Sequence, residues 1–456
     1  MKRLLMVAYF FPPVGGIGSA GAQRVLKFAK YLKHSQWEPV IVTVKESSYE
    51  PFLTMDSSLL DKIPAGTTIV RTGVFRGLTL LLRMKNRVLR IIGARGQVVS
   101  FCQHVGQPLR ESTLAKKSSY QRMKDAITDL LEIPDEEMGW FFPGVLAGLG
   151  SFSRYRFDAI YSTGRPWTAH LIGLSLKLLT GRPLIVDFRD PWMTNPFRPE
   201  YSSLRDRLET TLERVTIEKA DVVISNTAEL QEEFVKRFPA QSPSKFHTLL
   251  NGFDVDDFEQ RDNINGIHSG SHLTITHAGF LYGKRDPKTF LEALRRVIDA
   301  GQVNPDRLRV WFVGSIELSY DVSEYLSVWG LNKVVFLRPH VPYRDSLEFL
   351  RQSDVLLLLQ PGTKTQIPSK LFEYIGGRKP ILGISPLDGA TARLMQREGL
   401  GVIADPENVD AIASAIRSVY DLWSHGDLSS MMNGTVHDRF DVRHITAQLA
   451  ELLSRL

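Results

Sequence analysis

The sequence predicts an α/β protein made of two doubly wound, parallel-sheet domains facing each other across a cleft. Three observations carry that prediction. A chain of 456 residues is too long for one ordinary core and suits two domains of about 200 residues each. Short, continuous apolar runs alternate with stretches of helical period, the pattern of parallel strands buried on both faces. The alternation stops in a polar stretch and then starts afresh, which divides the chain into residues 1–255, a linker at 256–271, a second domain at 272–440 and a closing helix at 441–456 that could pack on either domain, the N-terminal one included.

Leu4 to Phe10 is the first apolar run. It follows Met1-Lys2-Arg3 in the manner of a signal peptide, but it is short and ends at Pro12-Pro13 without a small-residue cleavage site, so it reads as a strand. A glycine loop, Phe11 to Gly21, leads to a helix over Ala22 to Lys33 and a strand over Val40 to Val44, a βαβ unit. Gly16-x-Gly18-x-x-Gly21 and Glu46 match the dinucleotide fingerprint. Phe-Pro-Pro-Val separates the glycines from the strand, however, so a loop whose backbone approaches a phosphate or an acceptor is the better reading.

A basic insertion at 71–125 follows, with twelve Lys and Arg against Glu111 and Asp125. Because the whole chain carries only +6, the remainder is slightly acidic. Within the insertion, residues 78–92 place Arg83, Arg87 and Arg90 at helical spacing beside a leucine-rich face. That pattern suits either an anionic membrane surface or a solvated helix packed on the domain. No recognition motif or aromatic platform accompanies the charge, which argues against nucleic acid. Cys102 is the single cysteine, so no intramolecular disulfide or cysteine-rich metal site forms, and a reducing cytosol fits. No run of about 18 uncharged apolar residues occurs.

Strands resume at Phe157 to Ser162, with a loop carrying Arg165, a helix over Thr168 to Leu179, and a buried strand at Leu184 to Asp187. That strand delivers Arg189 and Asp190 at its carboxyl end, where open α/β sheets bind ligands, although the two residues could equally pair with each other. Helix, strand and helix then lead to Asn251-Gly252-Phe253-Asp254. After the linker, Leu273 to Gly279 and Arg309 to Ser315, which includes Gly314, are strands; later ones lie at Val334 to Leu337, Val355 to Leu359, Pro380 to Ile384 and Val402-Ile403.

Gln366 to Pro380 reads as a helix that opens near Pro368, is capped by Gly376-Gly377 and precedes a strand. Lys370, Glu373 and Tyr374 share one face, while Leu371, Phe372 and Ile375 point to a core. A helix N-terminus attracts anions, and a glutamate one turn in can accept two hydrogen bonds from a vicinal diol, so the face suits a nucleotide diphosphate with its ribose. A solvent-facing Lys370–Glu373 ion pair is the alternative.

Phe11 to Gly16, Val186 to Trp192, Asn251 to Asp254, Gly279 to Arg285 and Ile367 to Pro380, in this order and spacing, resemble the GT-B fold glycosyltransferases of family 4 (group 1). The resemblance implies two Rossmann-like domains, a nucleotide diphosphate sugar as donor substrate, and no cofactor or metal. It implies retaining transfer to a glycan or lipid-linked acceptor in bacterial surface glycan synthesis, in the cytoplasm or on the inner face of the cell membrane. Glu373 matches the second glutamate of the family's Glu-x7-Glu motif and is expected on the donor ribose; Thr365 stands where the first would be. Phe280 occupies the family's arginine position and Arg285 its lysine position. The candidate catalytic residues are Arg285, Lys370 and Asp190. Gly16, Gly279, Gly314, Thr365, Ser369 and Glu373 form the donor side, and Arg165 and Arg189 the acceptor side. A non-catalytic nucleotide-sugar-binding scaffold and a nucleotide-sugar epimerase of the same fold are the alternatives.

Overall fold

The computed structural model describes residues 1–16, 19–51, 53–75, 132–259, 270–432 and 438–456. The basic amphipathic stretch at 78–92, most of the basic insertion and linker residues 260–269 lie outside the described residues.

The N-terminal sheet contains β1 (Lys2–Val7), β2 (Trp37–Val44), β3 (Thr68–Thr72), β4 (Ala159–Gly164), β5 (Leu184–Phe188), β6 (Val222–Ser225) and β7 (Phe246–Thr248), all parallel, in the order β3-β2-β1-β4-β5-β6-β7. Leu4 to Val7 and Leu184 to Val186 are buried completely, as continuous apolar runs between helical layers require. One face carries α1 (Ser19–Leu32); the other carries α2 (Phe141–Tyr155), α3 (Thr168–Thr180), α4 (Ser203–Lys219) and α5 (Ala228–Arg237). The strand order reverses between β1 and β4, so the Phe11–Gly16 loop emerges at the switch point.

After the short helix α6 (Asp256–Glu259), the second sheet has β8 (Leu273–Ala278), β10 (Leu308–Val313), β12 (Val335–Arg338), β13 (Val355–Leu359), β14 (Ile381–Ile384) and β15 (Gly401–Ala404), in the order β12-β10-β8-β13-β14-β15. β9 (Leu281–Tyr282) and β11 (Ile316–Glu317) pair in a small ribbon beyond it. Its helices are α7 (Lys288–Asp299), α8 (Val322–Val328), α9 (Tyr343–Gln352), α10 (Ser369–Gly377), α11 (Ala390–Glu398) and α12 (Val409–Ser424). Here β8 and β13 flank the reversal, which puts Gly279 at the equivalent switch point.

The last helix, α13 (Val442–Ser454), returns to the first domain and packs on α1. Leu449 and Leu453 are fully buried there, each contributing about 1.5–3 kcal/mol of burial. The return is fixed by backbone bonds from the Phe253 N–H to the Phe440 carbonyl (3.0 Å) and from the Val442 N–H to the Phe253 carbonyl (2.8 Å). Gly252 permits this crossing, since a Cβ there would lie 2.7 Å from the Phe440 carbonyl oxygen. Among the described residues, no helix is long and apolar enough to cross a membrane.

Two local expectations at α10 are corrected. Its left-handed C-cap falls on Arg378 (φ 54°) rather than on Gly376-Gly377. Gly376 instead lets the helix sit against Phe253, whose Cβ would be 2.9 Å from an added methyl. Tyr374 leaves the polar face altogether: it is buried, accepts from the Ala278 N–H (3.0 Å) and donates to the Leu357 carbonyl (3.2 Å). A phenol long enough to reach two backbone groups between β8 and β13 gains more from burial than from solvent.

Candidate active site at the carboxyl ends of the two sheets

Two donor-side candidates, Gly279 and Gly314, meet at the carboxyl end of β8. Gly279 donates its N–H to the Val313 carbonyl (2.9 Å), and Gly314 donates to the Arg338 carbonyl (2.9 Å). The two turns touch backbone to backbone. Gly314 adopts φ 141°, and a Cβ there would lie 2.2 Å from the Gly279 carbonyl oxygen, so the position admits glycine alone.

Beyond Gly279 the chain turns through β9, and the Arg285 N–H closes that turn on the Tyr282 carbonyl (2.8 Å). The Arg285 guanidinium lies over the Tyr282 ring at 5.3 Å, and Phe280 stacks on the same ring at 4.6 Å. Phe280, in the expected arginine position, thus builds the aromatic platform on which Arg285 rests. The Arg285 Nε is buried without a partner among the described residues.

Lys370 lies in the first turn of α10 and Glu373 at the start of the second, joined at 2.7 Å, with the Lys370 side chain 28% exposed and the Glu373 side chain 8%. Glu373 is therefore no solvent-face residue. Together with Ser369 it lines a cleft whose opposite wall is Gln23 and Lys27 of α1 and the Asn251-Gly252 turn. The charges of both cations reach one buried histidine. His277, on β8, has its pKa lowered to about 4, chiefly by burial; a bond to the Leu357 carbonyl opposes the shift, and the nearby charges of Arg285 and Lys370 reinforce it. His340 is also lowered, first by burial; Asp56 opposes this and Lys370 adds to it. Lys370 and Asp56 thus act on the same histidine with opposite sign.

That loop belongs to the first domain. Gly16 takes φ 54° and packs against the Thr54 side chain, and Gly15 donates to the Thr54 carbonyl (2.8 Å). Asp56 reaches across the cleft to accept from the Tyr343 N–H at 2.7 Å. Thr365 contributes its carbonyl, which accepts from Thr227 Oγ1 (2.7 Å), and Gln366 Nε2 donates to Asp190 Oδ1 (2.7 Å). Asp190 and Thr365 are in this way drawn to the seam between domains.

The acceptor-side expectations are redistributed. Arg189 and Asp190 do not pair with each other. Arg189 donates from Nε to the Gly164 carbonyl (3.0 Å) and from Nη2 to the Arg165 carbonyl, bracing the end of β4. It also fills the space beside Gly21, where a Cβ would meet Nη1 at 2.3 Å. Arg165 itself is exposed. Asp187, at the same strand end, is inward and fully buried, held by both Arg24 nitrogens (2.8 and 3.0 Å), by the Tyr161 hydroxyl and by Thr163 Oγ1 (3.2 Å). Its partner lies 163 residues away, a spacing that no local pattern marks. His277, Gln366 and Arg24 have no signal in the sequence as site or support residues, beyond the position of His277 two residues before Gly279.

A family model described as "Glycosyl transferase 4-like domain" matches residues 19–252. Over 89 residues, 20% of this chain, the sequence is 26% identical to alpha-maltose-1-phosphate synthase of Mycolicibacterium smegmatis, and the match spans 23% of that relative's length. Among solved structures, HepE of Anabaena in complex with UDP-glucose superposes with a TM-score of 0.62 at 15% identity, covering 100% of both chains. Sucrose-phosphate synthase of Thermosynechococcus elongatus superposes with a TM-score of 0.65 at 12% identity, over 100% of this chain and 99% of that one.

Proposed function

The chain belongs to the glycosyl transferase 4-like family and has the GT-B fold, and from that premise we propose that it moves a sugar from a nucleotide diphosphate sugar to a glycan or lipid-linked acceptor, with retention at the anomeric carbon. One observation carries the reading: the charges of Arg285 and Lys370 both act on His277 at β8, and Glu373, paired with Lys370, faces α1 across a cleft. Solved relatives of this fold hold UDP and UDP-glucose, which supports a nucleotide donor here.

Glycosyl transfer breaks the bond between the anomeric carbon and a phosphate oxygen, so negative charge grows on the departing diphosphate. Arg285, Lys370 and the N-terminal turn of α10 supply fixed positive charge where that charge develops, and Glu373 accepts from the ribose diol. In this scheme the acceptor hydroxyl attacks from the face the phosphate leaves, and the leaving oxygen takes its proton. Two domains closing on the seam at Asp190–Gln366 and Thr227–Thr365 exclude water and limit donor hydrolysis. The basic stretch at 78–92 supports an acceptor on an anionic membrane surface, and surface glycan synthesis in the bacterial cytoplasm follows from that class of acceptor.

Nucleotide release is measured from UDP-, GDP-, dTDP- and ADP-sugars for the parent, Glu373→Ala and Arg285→Ala, with thermal shifts on the four free nucleotides. A nucleotide at 100 times its Kd should stabilise the parent by about 2.7 kcal/mol, and both variants should lose turnover. Parental activity in both variants would end the proposal. Tight nucleotide binding with no turnover on any acceptor extract would favour a non-catalytic scaffold instead.

A further inference from the structure

His277 is buried at the carboxyl end of β8, 4% exposed, and its two ring nitrogens differ. Nδ1 lies 2.9 Å from the Leu357 carbonyl oxygen. A carbonyl only accepts, so Nδ1 carries the proton. Burial beside Arg285 and Lys370 keeps the ring neutral at neutral pH, with the Tyr374 hydroxyl on the same Leu357 carbonyl. Nε2 is therefore a bare lone pair. It is buried and has no hydrogen-bond partner among the described residues. It sits over Gly279, where a Cβ would come within 3.1 Å of it; a side chain there would crowd the lone pair.

The complementary group is carried by the turn that follows Gly279, and its charge reaches His277. Arg285 Nε carries a hydrogen, is buried, and likewise has no partner among the described residues. An acceptor and a donor that are both buried and both left open are unfavourable apart, and pairing them removes that cost. In the turn before Arg285, a Cβ built on Gly283 (φ 51°) would face open space.

We propose that His277 is a positioning residue for Arg285: Nε2 accepts the Arg285 Nε–H when a nucleoside diphosphate is bound, leaving both terminal nitrogens of the guanidinium aimed at the phosphates. This rests on the donor-site reading above. Only a neutral imidazole can serve, because a protonated ring would repel Arg285 and offer no acceptor. His277 touches neither phosphate nor sugar in this arrangement; it acts through the arginine.

The test is calorimetric titration with inorganic pyrophosphate and with whichever of UDP, GDP, dTDP and ADP binds, on the parent, His277→Asn, His277→Gln, Arg285→Ala and the His277→Asn/Arg285→Ala double variant. Asparagine keeps a donor for the Leu357 carbonyl but places nothing at the Nε2 position, whereas the glutamine amide reaches it. Kd should rise about tenfold in His277→Asn, stay within about threefold of the parent in His277→Gln, and be the same in the double variant as in Arg285→Ala. Additive losses, or parental binding by His277→Asn, would overturn the proposal while leaving the donor site intact. An Arg285→Ala variant that binds like the parent would sink the donor-site reading, and this one with it. On the parent, labelled histidine nitrogens give a readout that needs no variant to fold. The His277 Nε2 resonance should be that of an unprotonated nitrogen and should move on nucleotide binding; a protonated Nε2, or one indifferent to nucleotide, refutes the pairing.

Discussion

Replacing Arg24 by methionine tests whether the charges at the end of β5 are architecture rather than acceptor chemistry. Arg24 and Asp187 are both buried, with side-chain exposures of 3% and 0%. Their two bonds of 2.8 and 3.0 Å give a gross attraction of about 5–6 kcal/mol at an effective dielectric of about 20, most of it offset by desolvation of the two ions. Burial pulls the Arg24 pKa down, Asp187 pushes it up, and the net shift is upward. Arg24 further donates to the carbonyls of Leu249 (2.9 Å) and Leu250 (2.9 Å) and to Asn251 Oδ1 (3.0 Å), so one guanidinium ties α1, β5 and the turn lining the cleft. Arg24→Met leaves a buried carboxylate with only Tyr161 and Thr163, a loss of about 3–5 kcal/mol. For a unit of roughly 200 residues this lowers Tm by about 6–20 °C. Arg24→Met/Asp187→Leu removes both charges and should recover most of that loss. Urea denaturation and calorimetry on the three proteins decide the matter. A single variant within about 0.5 kcal/mol of the parent, or a double variant worse than the single, refutes the assignment of Asp187 to structure.

Two further outcomes follow from the same geometry. Gly314→Ala forces a Cβ into the Gly279 carbonyl at a backbone angle that L-residues rarely adopt; it should cost about 2–4 kcal/mol and weaken nucleotide binding in a thermal-shift assay. Gly301→Ala, with φ 66° and open space where its Cβ would lie, should cost only about 1 kcal/mol and leave binding unchanged. Acid should destabilise the fold through two neutral buried histidines, His170 lowered to about 3 and His277 to about 4, both chiefly by burial. Their contribution is fully present above the ordinary pKa of about 6.5 and lost as pH falls through the folded values, each with a slope of up to about 1.4 kcal/mol per pH unit. Glu137 is raised to about 8, first by burial and then by Asp135 and Glu136; it acts oppositely, its share being present below about 4.5 and lost as pH rises through 8. Urea titrations from pH 4 to 7 on the parent, His170→Gln and His277→Gln should therefore show a shallower decline in each variant. Equal slopes in all three proteins would exclude the assignment.

The α/β class, the tandem division and the positions of most strands along the chain were legible because parallel strands buried on both faces must be continuous apolar runs, and such runs survive in any linear reading. The helix at Ser369–Gly377 and its Lys370–Glu373 pair were legible for a related reason: helical spacing is local. Short edge elements such as β3 and β7 were not, since Thr68–Thr72 and Phe246–Thr248 owe their strand state to a neighbour rather than to pattern. Tertiary structure alone decided which polar residues work together. Arg24 met Asp187, Gln366 met Asp190, Arg189 turned back onto β4, Tyr374 went inward, and α13 chose the first domain. Each of those choices joins residues far apart in the chain, where the gain depends on a shape and a dielectric that exist only after both sheets have formed.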